Sequence, residues 1–82
     1  MKPKLVWDDW NIEHVKKHQV NKEEIEQVYT FKTIKSQTYL NRILILGKTK
    51  KGRLLTIVVS QGKQKEQYII SARHYYEQTK TN

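Results

Sequence analysis

Eighty-two residues make one small domain, because a chain this short buries only about 60% of its unfolded surface and supports a single core. Sixteen Lys and Arg against eight Asp and Glu give a formal net charge of +8, which favours polyanionic partners such as nucleic acid and disfavours cationic ones. The lack of Cys excludes disulfide staples, Cys-ligated zinc and thiol catalysis, and no apolar run approaches the roughly 18 residues of a membrane span.

Taken in chain order, Met1-Lys2-Pro3-Lys4 leads straight into Trp7-Asp8-Asp9 with no signal-peptide stretch, so a cytoplasmic protein without a membrane partner is expected. Lys4 to Trp7 reads as a short first strand. Asp8 or Asp9 then caps a helix running to about His18, with a carboxylate at its positive end. Asn21 followed by Glu24, with Val20 and Ile25 as a hydrophobic staple, predicts a second helix to about Tyr29. Ile25, Val28 and Tyr29 fall on its inward face.

From Phe31 the pattern becomes β-branched, and four strands are predicted at Phe31–Tyr39, Arg42–Lys48, Arg53–Ser60 and Glu66–Ala72. Short Gly-containing connections between the later strands suit antiparallel hairpins, so a meander is expected. Ile43–Leu46 and Leu54–Val59 are apolar on both faces, which predicts central strands covered at least partly on both sides. His74 to Gln78 can add a last helical turn, and 79–82 is expected to fray. The whole is an α+β domain over residues 1–82: an antiparallel sheet of four to five strands with two N-terminal helices packed on it.

Charge is unevenly spread. Residues 1–31 hold five bases and six acids, net −1, whereas residues 32–82 hold eleven bases opposed by Glu66 and Glu77, net +9. A hairpin centred on Lys63 would set Ser60 opposite Glu66, Ile57 opposite Ile69 and Arg53 opposite Arg73. Two facing guanidiniums repel unless an anion lies between them, so this register predicts a clamp for an anion, either a phosphate or a partner carboxylate. On the first helix Asn11, His14 and His18 share a face. No Glu follows His14 as a metalloprotease helix requires, so no metal is expected, and proton transfer is the better use of an imidazole near neutral pH. Gly47, Gly52 and Gly62 form no phosphate-binding loop, and no nucleotide cofactor is implied.

Several runs, in order, carry a resemblance: Trp7-Asp8-Asp9-Trp10-Asn11-Ile12-Glu13-His14-Val15-Lys16-Lys17-His18-Gln19-Val20, Glu23 to Val28, Gly47-Lys48-Thr49, Gly52-Arg53-Leu54-Leu55 and Tyr68-Ile69-Ile70-Ser71-Ala72-Arg73. Together, over about residues 5 to 76, the chain resembles the BrnT family of bacterial toxins. That family is similar in fold to RelE-type ribonuclease toxins, so the resemblance implies a RelE-like fold and the toxin component of a type II toxin–antitoxin pair. It also implies a cognate DNA-binding antitoxin as partner and RNA as substrate. The family's Lys-His falls on Lys17-His18, its Gly-Arg on Gly52-Arg53 and its Ser-Ala-Arg on Ser71-Ala72-Arg73. After that Arg this chain departs from the family, with only His74-Tyr75-Tyr76-Glu77 and a short polar end.

Metal-independent RNA cleavage by 2′-OH attack needs a proton acceptor, cations for the phosphorane and a donor for the leaving oxygen. Arg53 and Arg73 are assigned to the phosphate, His18 or His14 to proton transfer, and Lys17, Lys48, Lys50 and Lys51 to backbone contact, with Glu24 and Glu77 as lesser proton acceptors. The rival readings are a nucleic-acid-binding module that cuts nothing and an interaction protein whose basic face receives an acidic partner.

Overall fold

The computed structural model describes residues 4–62 and 66–75. In chain order these form β1 (Lys4–Val6), α1 (Asp9–Lys16), α2 (Lys22–Thr30), β2 (Lys32–Tyr39), β3 (Arg42–Lys48), β4 (Leu54–Gln61) and β5 (Glu66–His74). The sheet order is β1-β5-β4-β3-β2. Strands β2 to β5 form the expected antiparallel meander. The sheet as a whole is mixed, however, because β1 pairs in parallel with β5, Leu5 opposite Gln67. An antiparallel first strand was expected. The chain leaves β1, crosses the sheet through both helices and enters β2 at the far edge; the meander from β2 then brings β5 back beside β1 in the parallel sense.

Both helix starts are reciprocal capping boxes. The Asn11 N–H donates to Asp8 Oδ1 and the Asp8 N–H to Asn11 Oδ1, each at 2.9 Å. Asn11 Nδ2 also donates to the Val6 carbonyl at 2.9 Å, so this wholly buried amide ties α1 to the end of β1. Asn21 and Glu24 repeat the box on α2. Helix α1 stops short of His18 because Gln19 turns left-handed at φ 63, and the Val20 N–H then closes on the Val15 carbonyl at 3.1 Å.

The core lies between the helices and one face of the sheet. Val15, Val20, Ile25 and Val28 pack against Ile45, Leu55, Ile57, Val59, Ile69 and Ala72, all buried. Tyr29 adds a hydrogen bond from its hydroxyl to Gln67 Oε1 at 2.7 Å. Helix α2 comes so close to β3 at Gly47 that Val28 rests on the glycine itself. The expectation of cover on both faces of β3 and β4 is met only in part. On the side away from the helices Leu46, Leu54 and Val58 are half-buried and Leu44 is exposed.

The β4–β5 register also differs from expectation. Ser60 pairs with Tyr68 and not Glu66, Ile57 with Ala72 and not Ile69, and Arg73 with Thr56 and not Arg53. Two causes add up: pairing starts two residues later in β5, and a bulge between Val58 and Val59 inserts one further residue on that strand. Lys63, the expected centre of this hairpin, lies outside the described residues, as do most of the expected His74–Gln78 turn and the 79–82 end. No helix among the described residues is long and apolar enough to cross a membrane.

A Cβ at residue 47 would stand 2.7 Å from the Lys32 carbonyl oxygen and run into Val28. Gly47→Ala is therefore expected to lower stability in urea denaturation by roughly 1–3 kcal/mol through overpacking. Gly52→Ala meets open space but must hold φ 87, and loses about 1 kcal/mol. Two variants as stable as the parent would contradict this packing.

Candidate nucleic-acid interface

Side chains alternate across a strand, and directly paired residues share a face. With Ile45, Ile57 and Ala72 turned to the helices, the intervening positions form rows across the other face. One row reads Lys35, Leu46, Thr56, Arg73 from β2 to β5. On one side lie Lys32, Lys48 and Leu54; on the other come Gln37, Leu44, Val58 and Ser71, and then Tyr39, Arg42, Ser60 and Tyr68. Strands β2 to β5 thus bring five cations to this face, Lys32, Lys35, Arg42, Lys48 and Arg73, and Lys4 of β1 joins them at the margin.

Nothing in the sequence between Glu26 and Glu66 is acidic, so strands β2, β3 and β4 bring no carboxylate to this face. Among the described residues carboxylates reach it at its β1–β5 margin, where Glu66 lies opposite Lys4 and Asp8 Oδ2 accepts the Tyr68 hydroxyl at 2.9 Å. Lys32 stands directly opposite Lys48. Like charges so placed cost a few tenths of a kcal/mol, and an intervening anion relieves them. The facing-cation logic expected at Arg53 and Arg73 is therefore met at a different pair.

A cavity of about 190 Å³ opens on this face between Lys35, Gln37, Leu44, Thr56 and Tyr75. The Thr56 hydroxyl is shut off from solvent and has no hydrogen-bond partner among the described residues. The surface therefore combines an aromatic ring with cations around an apolar floor, and rings with cations are the parts from which single-stranded nucleic acid sites are built.

The other expected site residues divide between surfaces. Arg53 falls on the helix side of the sheet, where its Nη1 donates to both carboxylate oxygens of Glu24 at 2.9 Å. This ion pair is only about one-quarter exposed and leaves the arginine's charge compensated. Glu24 Oε1 meanwhile accepts the Asn21 N–H, so one carboxylate caps α2 and docks Arg53. The clamp of Arg53 with Arg73 is thus corrected: the shifted register puts the two guanidiniums on opposite faces of the sheet.

His14 and His18 belong to the helix layer with Arg53. His14 stacks on Trp10 at 4.7 Å between ring centroids, and His18 meets His14 edge-on at 5.5 Å. Trp10 is 56% exposed, so this ladder faces solvent. Lys17 is exposed at the end of α1. Lys50 and Lys51 are exposed in the β3–β4 turn, where the Lys50 N–H donates to Gln27 Oε1. Lys48 belongs to the open face. No group of three or more His, Cys, Asp or Glu is placed to hold a metal among the described residues. Reading the sequence alone missed Lys32, Lys35 and Arg42, although the alternation of β2 and β3 carried the signal once their pairing was fixed.

Two margin groups are perturbed. The Asn11 backbone N–H, then the Tyr68 hydroxyl, hold the Asp8 carboxyl below its ordinary 3.8. Desolvation, then the bond to Asp8, pushes the Tyr68 phenol up. A carboxyl depressed in the folded state adds stability that is complete above its ordinary value and lost as pH falls through the depressed one. Asp8→Asn keeps a helix cap but not this dependence. Between pH 6 and pH 3 the parent should therefore lose more stability in urea than Asp8→Asn, and equal losses would contradict the assignment. Compared with known proteins, the chain matches no family model, no curated protein and no solved structure.

Proposed function

We propose that the chain is an RNA-binding protein of the ribonuclease-toxin type, RelE-like in fold, that holds single-stranded RNA on the open face of its sheet. The observation that carries this reading is the gathering of Lys32, Lys35, Arg42, Lys48 and Arg73 on a face to which β2, β3 and β4 contribute no carboxylate. Such a field attracts a polyanion and focuses it on the surface. Of the tyrosines at this face, Tyr39 and Tyr75 supply rings on which bases stack, while the Tyr68 hydroxyl is bonded to Asp8 at the margin. The BrnT-like order of motifs adds the toxin–antitoxin context and a DNA-binding antitoxin as partner.

On the catalytic reading the 2′-oxygen of RNA attacks the adjacent phosphorus, the bond to the 5′-oxygen breaks, and a 2′,3′-cyclic phosphate and a 5′-hydroxyl result. Arg73, with Lys35 in the same row, is the choice for the phosphorane charge because Arg53 is already spent on Glu24. His14 and His18 are the proton-transfer candidates. Their place in the helix layer, across the sheet from Arg73, is the specific observation that favours the second reading, in which RNA is bound and not cut.

Incubation of 5′-labelled single-stranded RNA with the protein in EDTA separates the two. Cleavage to cyclic-phosphate ends is expected, falling by about 10²-fold or more in Arg73→Ala and by less than tenfold in Arg53→Ala. RNA bound but left intact would give the ground to the binding reading. Equal cutting by both variants would remove Arg73 from the site.

A further inference from the structure

Among the described residues strand β2 is the long free edge of the sheet. Its eight residues pair with β3 on one side only and all are exposed, whereas β1 at the other edge has three residues. A free edge of this length is a template for another strand. Two devices oppose indiscriminate pairing here: the lysines at 32 and 35, and a bulge at Ile34 between Thr33 and Lys35.

Protection alone does not account for what the edge displays. Phe31 is 54% exposed, Ile34 47%, Tyr39 64% and Leu40 83%. Leu40 also has φ 55, at the first central position of the two-residue turn between Tyr39 and Arg42. Glycine takes that left-handed position without strain; leucine does not. The chain thus holds a large apolar side chain in an unfavourable backbone conformation at a corner where it buries almost nothing. Clefts flank it, one towards Ile43 and Gln61 and one towards Arg42.

We propose that β2 and its turn into β3 form the docking surface for an extended, acidic segment of another protein. The segment adds as a sixth strand along β2. Its apolar side chains pack on Leu40 and Ile34 while its carboxylates meet Lys32 and Lys35. Charge selects this occupant. In a second copy paired edge to edge, β2 against β2 would bring Lys32 and Lys35 of both chains onto one continuous sheet in a molecule of net charge +8. A nucleic acid lacks the alternating N–H and C=O groups that an open strand edge pairs with.

The test is a titration of ¹⁵N-labelled protein, without RNA, using a capped eight-residue peptide of alternating valine and glutamate. Amide shifts confined to residues 31–44, and at least tenfold slower hydrogen exchange in β2, are expected. The valine–lysine counterpart should cause neither. Hexaglutamate, which has charge but neither apolar side chains nor strand propensity, should bind at least tenfold more weakly. Reversing both charges, Lys32→Glu with Lys35→Glu, should weaken the valine–glutamate peptide at least tenfold. Leu40→Gly should weaken it about fivefold with no loss of thermal stability. The proposal fails if the peptide does not bind, if its shifts map to the helices, if hexaglutamate or the charge-reversed variant binds as well as the pairing named here, or if a single-stranded RNA protects the same β2 amides. It fails equally if the free protein sediments as a dimer closed through β2. Because no RNA is present in the main titration, loss of the RNA-binding reading leaves this result standing.

Discussion

Among the described residues two short helices must cover a five-stranded sheet, and they suffice for one face. Val15, Val20, Ile25 and Val28 are the buried apolar residues that α1, α2 and their connection bring to the sheet, and the strands answer with residues of one parity. Each such side chain, fully buried, stabilises by roughly 1.5–3 kcal/mol. The other parity has no helical partner among the described residues, so the two-residue period of the strands becomes a sorting device: aliphatic residues towards the helices, cations and half-buried aliphatics towards the opposite side. Asn11 and Gly47 hold this geometry in place, the first by tying α1 to Val6, the second by letting Val28 approach β3.

One inserted residue decides which arginine serves which face. The bulge in β5 near Ile70 shifts every later residue of that strand relative to β4, and Arg73 consequently lies opposite Thr56. Arg53, beyond the start of β4, is drawn to the helix side and neutralised by Glu24. The two guanidiniums have separate chemistry as a result. Arg53 joins the β3–β4 connection to the N-terminus of α2, a structural duty, while Arg73 contributes its charge to the open face beside Lys35, Leu46 and Thr56 in a single row.

What was legible in the sequence was local. Asp8 with Asn11 and Asn21 with Glu24 stand at the spacing that a reciprocal cap needs, and both helix starts fall there. The meander followed from short turns between β-branched runs. Register was not legible, because it depends on where a turn closes and whether a bulge intervenes, and a one-residue error moves a side chain to the other face. The parallel pairing of β1 was hidden for a related reason: three residues, Lys4 to Val6, carry no record of which strand they will meet. For the site, the concentration of cations after residue 31 was plain from composition, but their division between faces, and the capture of Arg53 by Glu24, emerged only with the fold.

The central claim is that the cations of the open face, and not the overall charge, hold RNA. The most direct measurement is the salt dependence of single-stranded RNA affinity for the parent, for Lys35→Ala with Arg73→Ala, and for Lys17→Ala with Lys51→Ala, which removes the same charge away from the face. Each lost phosphate contact reduces the slope of log affinity against log salt by about 0.7. The account predicts a drop of about 1.4 for the open-face pair and little change for the other pair; equal drops would contradict it.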